Sequence, residues 1–134
     1  MIPYADNEVS ENIEYFVDAE ENMENFLKNG MVENPSDNYC DNCYDMCNIS
    51  TFVIGKNLLE FCEEGQLLVK EGVFGMMGNH TWLEIEGVII DATLCQFIPQ
   101  ARHLSIIDNT YSEYFAVKSY EFTEWCETSP NMEV

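Results

Sequence analysis

The chain has 134 residues and carries 25 Asp+Glu against 5 Lys+Arg, a formal net charge of −20 at pH 7. That length suits one domain, 1–134. With 46% hydrophobic and 13% aromatic residues, the chain can build a core, so it is not an acidic disordered tail. So negative a surface excludes docking on nucleic-acid phosphates or on an anionic membrane. A basic protein or a neutral small molecule fits better as a partner.

Met1–Glu8 contains no basic residue and no long apolar run follows, so no secretory leader is expected and a cytoplasmic protein is. The apolar runs are too short to cross a bilayer. In that compartment Cys40, Cys43, Cys47, Cys62, Cys95 and Cys126 are expected as free thiols, metal ligands or a nucleophile rather than as disulfides. Residues 1–48 hold 12 acids and a single base, Lys28, so the acidity is densest in the N-terminal third.

In chain order, Ile13, Phe16, Val17, Met23, Phe26 and Leu27 recur at helical spacings. They predict an acidic N-terminal helix over 10–28, within segment 1–30, with Ser10 as N-cap and Asn29-Gly30 as its stop. Residues 31–42 are turn-rich. A second helix is expected from about Asn42 to Glu63, with Gly55 as a possible break and Gly65 ending it. The period then changes to that of strands, expected over 66–74, 81–85, 88–92 and 114–122, with a tight turn at Glu86-Gly87. Helices first and an antiparallel sheet second define an α+β fold.

The stretch from Gly78 to Thr93 carries the chemistry. His80 opens one strand and Asp91 ends the next. A reversal at Glu86-Gly87 sets the two roughly opposite each other. Facing Cβ atoms in such a pair lie about 5 Å apart, close enough for a carboxylate to orient an imidazole. An oriented imidazole serves a nucleophile, and Cys43 is the candidate, placed where a turn-rich loop becomes a helix. A helix N-terminus favours a thiolate, and its N–H groups can hold an oxyanion.

These residues resemble the transglutaminase-like branch of the papain-like cysteine acyl-transfer superfamily. The resemblance runs over about residues 40–97 and rests on His80, Trp82, Glu84, Gly87, Asp91-Ala92-Thr93 and then Gln96-Phe97. Asn42-Cys43-Tyr44 stands where the family has a cysteine flanked by an amide and an aromatic, although Asp41-Asn42 replaces the usual Gly-Gln. Cys40 and Cys47 flank Cys43, so the identity of the nucleophile stays open among the three. The resemblance implies a papain-like core and a catalytic triad of Cys43, His80 and Asp91. Asn42 and Gln96 would stabilise the oxyanion or orient the substrate, and Tyr44 and Trp82 would be structural near the site. It implies acyl transfer from an amide of a protein or peptide, as a peptidase, deamidase or transamidase, with no cofactor or metal.

Two other classes remain. One is a non-catalytic acidic protein on the same scaffold, phage-encoded and acting in the host cytoplasm, that occludes a basic partner. The other is a small zinc module built on Cys40, Cys43 and Cys47, which lacks a second paired motif. Cys62, Cys95 and Cys126 are read as buried apolar residues, and His103, beside Arg102, as exposed. Because −20 opposes a thiolate, local compensation is needed. No Lys or Arg lies between Lys28 and Lys56, leaving the helix N-terminus and protonated His80 to supply it, and a macromolecular substrate should be basic.

Overall fold

Alternation along three short strands decides the architecture. Leu83, Ile90 and Ile106 fall in one buried cluster and their neighbours Trp82, Ile89 and Ile107 in another, so the strands are covered on both faces. In a computed structural model, residues 2–17, 39–102 and 104–128 are described; of these, the side chains of 16, 17, 39–46, 49 and 95 are left aside.

The described elements are α1 (Asn7–Val17), α2 (Tyr39–Leu59), β1 (Leu67–Phe74), β2 (Gly78–Ile85), β3 (Val88–Asp91), a short 3-10 helix (Leu94–Gln96), β4 (Ser105–Asp108), β5 (Tyr114–Glu121) and α3 (Phe122–Thr128). The strands form an antiparallel sheet ordered β4-β3-β2-β1-β5. This is the α+β class with helices packed on an antiparallel sheet. One cluster joins Ile54 and Leu58 of α2 and Phe122 and Trp125 of α3 to Leu67, Val69 and Leu83. Its counterpart joins Phe74, Trp82 and Ile89 to Leu94, with Phe97, Tyr111 and Tyr114 packed against it. The N-terminal segment runs along the outer edge of β4: Ala5 N donates to Ile106 O and Asp108 N to Pro3 O. That edge is therefore not left open.

Several expected boundaries move. α1 begins at Asn7, capped by Asp6, whose carboxylate accepts from Val9 N at 3.1 Å; Ser10 is buried inside the helix and donates to Ala5 O. The expected continuation over 18–28 lies outside the described residues. α2 begins at Tyr39 rather than near Asn42 and passes through Gly55 without a break. The glycine has a packing role: a Cβ there would overlap the Phe122 ring. Three elements were not expected: the short 3-10 helix, β4 and α3. β4 is only four residues long, and α3 is seven with Phe122 and Trp125 as its buried pair.

The Glu86-Gly87 turn forms as expected. Ile85 pairs with Val88, and both turn residues have positive φ (46° and 83°), the backbone a two-residue I′ hairpin demands.

Candidate active site

β2 and β3 position the polar core of the site. Their register ends at Leu83↔Ile90, so Asp91 falls opposite Trp82 and not opposite His80. His80 shares the face of Trp82, two residues on, and the carboxylate reaches it along the diagonal. His80 Nε2 meets Asp91 Oδ2 at 2.6 Å, and both side chains are essentially fully buried.

Asp91 accepts four hydrogen bonds. Oδ1 takes Thr93 N at 2.9 Å and Thr93 Oγ1 at 3.2 Å. Oδ2 takes His80 Nε2 and the Tyr114 hydroxyl, the latter at 2.7 Å. Every lone-pair direction of the carboxylate thus has a donor. Burial alone would push Asp91 up, but His80, Tyr114 and Thr93 outweigh it and hold the group below its usual carboxylate value. Burial likewise opposes the charged form of His80. The Asp91 charge and hydrogen bond, with a smaller contribution from Cys47, more than reverse this and raise the imidazole to about 9. Burial first, then Asp91, pushes the Tyr114 hydroxyl well above its ordinary value.

On its other side, His80 faces Gln96 and Cys47. Gln96 Nε2 lies 3.0 Å from Nδ1, carried there by the 3-10 helix. An amide suits either protonation state: its N–H donates to a bare Nδ1, and its carbonyl accepts from Nδ1–H after a half-turn. Cys47 lies near enough to His80 to help raise it, and the two side chains line the same cleft. Cys47 is the ninth residue of α2 and 6% exposed, and α2 is tied to β2 by Thr51 Oγ1 donating to Thr81 O.

Aromatic rings enclose the imidazole. Phe97 stands edge-on at 5.0 Å between centroids, Trp82 lies at 5.8 Å and Tyr114 at 6.1 Å. Trp82 is buried packing, as expected, and its indole N–H has no partner among the described residues.

A cleft of about 400 Å³ opens beside this group. Its walls include Cys47, Asn48, Glu71, Asn79, His80 and Lys118. Trp125 Nε1 donates to Glu71 Oε2 at 2.9 Å and fixes that wall. Lys118 arrives through a bulge: Glu71 pairs with Lys118 and Gly72 with Ala116, which leaves Val117 extra and turns it and Lys118 toward the cleft. Gly72 permits the close approach, since a Cβ there would collide with Phe115 O.

Of the residues singled out in the sequence, His80, Asp91, Gln96 and Trp82 come together. Asn42, Cys43 and Tyr44, like Cys40, lie on the helical backbone of α2, and their side chains are outside those described. With α2 starting at Tyr39, position 43 falls in its second turn and not at its N-terminus. Tyr114 and Lys118 were not anticipated. Neither belongs to the His80–Thr93 motif, and only the pairing of β5 with β1 brings them in. Cys62 and Cys126 pack against the helical cluster as half-buried residues, while His103 is outside the described residues.

No helix among the described residues is long and apolar enough to cross a membrane. No protein family, curated protein or solved structure matches the chain.

Proposed function

We propose that the protein is a cysteine-dependent acyl-transfer enzyme of the transglutaminase-like, papain-like kind, with Cys47, His80 and Asp91 as its triad. The observation that carries this reading is one continuous contact chain. Cys47 meets His80, His80 Nε2 meets Asp91 at 2.6 Å, and a cleft lies beside the thiol. Cys47 stands one helical turn from Cys43 and takes the nucleophile's place. The chain order supports the papain-like arrangement: a helix bears the thiol, a later strand the imidazole and the next strand the carboxylate.

In this mechanism Nε2 stays on Asp91, and the thiol proton already resides on Nδ1, so the reactive form is a thiolate beside the imidazolium. Sulfur attacks an amide carbonyl, the C–N bond breaks, and Nδ1–H returns its proton to the leaving amine. Water or a second amine then resolves the thioester. An amide inside a helix is committed to its own ladder, so the Cys47 N–H does not serve the oxyanion. Side-chain amides replace it, from Gln96 beside Nδ1 and from Asn48 and Asn79 on the cleft wall. The substrate is a protein or peptide, and the −20 chain favours a basic one.

The test is acylation by p-nitrophenyl acetate, an activated acyl donor. A burst of p-nitrophenolate is expected, with acetyl found on Cys47 by peptide mass mapping and lost in Cys47→Ala. Acetylation spread evenly over the cysteines contradicts the reading.

A binding role has its own support. Met76, Met77, Phe115 and Val117 are largely exposed, and Val117 reaches the cleft. An acidic occluding protein would keep its effect in Cys47→Ala, whereas the enzyme would lose it. The zinc alternative depends on the side chains of Cys40 and Cys43, which lie outside those described.

A further inference from the structure

A carboxylate that orients a catalytic imidazole must itself be held, and two elements hold this one. Thr93, two residues on in the same chain segment, occupies Oδ1. Oδ2, the oxygen that faces His80, is instead shared with Tyr114, which lies 23 residues away on the far side of the sheet order. Tyr114 is the first residue of β5 and pairs with Phe74 at the end of β1. Its ring is wedged edge-on between Phe74 at 5.1 Å and Trp82 at 4.9 Å. The hydroxyl has little freedom to leave Asp91.

Resting on the triad proposed above, we propose that Tyr114 is a positioning residue of the site. By donating to Asp91 Oδ2 it sets the carboxylate plane and divides that oxygen's charge between itself and His80 Nε2–H, so that β5 completes the triad. The Tyr114 ring also packs near the imidazole, at 6.1 Å between centroids, but its hydroxyl acts on His80 through Asp91.

The physical consequence has a definite sign. A donor on Oδ2 withdraws charge that would otherwise stabilise the imidazolium. Removing it concentrates that charge on His80, and strengthening it does the reverse. The titratable groups facing His80 are Asp91 from β3, Cys47 from α2 and Tyr114 from β5; Tyr111 and Tyr4 act on Tyr114.

The experiment uses the full chain with labelled imidazoles, which number two, so His103 serves as internal control. NMR follows the His80 titration midpoint in wild type, in Tyr114→Phe and in Tyr114→3-fluorotyrosine, whose more acidic hydroxyl donates more strongly. Tyr114→Phe keeps the packed ring and is expected to raise the midpoint by about half a pH unit, roughly a threefold change in proton affinity. The fluorinated residue is expected to lower it. A ring that only packs would not produce shifts of opposite sign, and any other pattern overturns the proposal. The measurement needs no turnover. If the shifts are opposite and Cys47 proves unreactive, Tyr114 keeps its role and the acyl-transfer reading is lost.

Discussion

Asp91 concentrates the energetics of the site in one side chain. A buried carboxylate with four donors is stable only while it stays charged, and His80 is its counterion. Asp91→Asn replaces one accepting oxygen by an NH2 group facing donors and removes the charge that holds the imidazolium. We expect it to destabilise the fold by about 3 kcal/mol in urea titration; a loss under about 1 kcal/mol would show that the pair is incidental. The signs with pH follow from the direction of each shift. His80 is raised from 6.5 to about 9, so its stabilising contribution is complete below 6.5 and disappears as pH climbs toward 9. Asp91 is lowered from 3.8, so its contribution is present above that value and lost as acid carries the pH below it. Relative to His80→Gln, the wild-type melting temperature should therefore fall between pH 6.5 and 9. A constant difference across that range contradicts the linkage. His80, Asp91 and Gln96 were legible because a short strand motif brings them together locally. The cysteine proposed as nucleophile was not, because Cys40, Cys43 and Cys47 sit three and four residues apart on one helix, and only the docking of α2 places Cys47 on the cleft wall.

At the scale of elements, one glycine and one glutamate show what the sequence left unsaid. Gly55 reads as a weak point in a helix, where alanine normally gains about 1 kcal/mol. Here the Phe122 ring of α3 lies directly on it. Gly55→Ala should therefore lower stability by about 1–3 kcal/mol through overpacking, seen as a fall in melting temperature; a rise would contradict the contact. Glu86 is the opposite case, a non-glycine residue at φ 46° in a hairpin that favours Asn-Gly. Glu86→Asn is expected to raise stability by about 0.5–1 kcal/mol, less whatever the exposed bond from Gln66 Nε2 contributes. Unchanged or lower stability would mean that the turn carries no strain. The β2–β3 hairpin was legible from Gly87 and from the apolar run after it. β4 was missed because four residues carry too little alternation to register, and α3 because two turns leave only Phe122 and Trp125 to mark a face.

Across the whole molecule, the charge of −20 acts against compaction as well as against a thiolate. Screening should relieve the first effect. The melting temperature is expected to rise from about 10 mM to about 200 mM salt, while the buried His80–Asp91 pair is screened far less. A melting temperature indifferent to salt would mean that the acids are spread too thinly to matter. In the proposed site, compensation for a thiolate falls to His80, which the sequence suggested; the β5 bulge adds Lys118 to the same cleft wall. The unity of Cys47, His80 and Asp91 as one reactive site is tested most directly by timed iodoacetamide labelling with peptide mass mapping, in wild type and in His80→Ala. Cys47 should be the first cysteine labelled, and its rate should fall at least tenfold without His80, within the span that one general base contributes. Cys47 labelling no faster than Cys62 or Cys126, or at the same rate in both proteins, would contradict it.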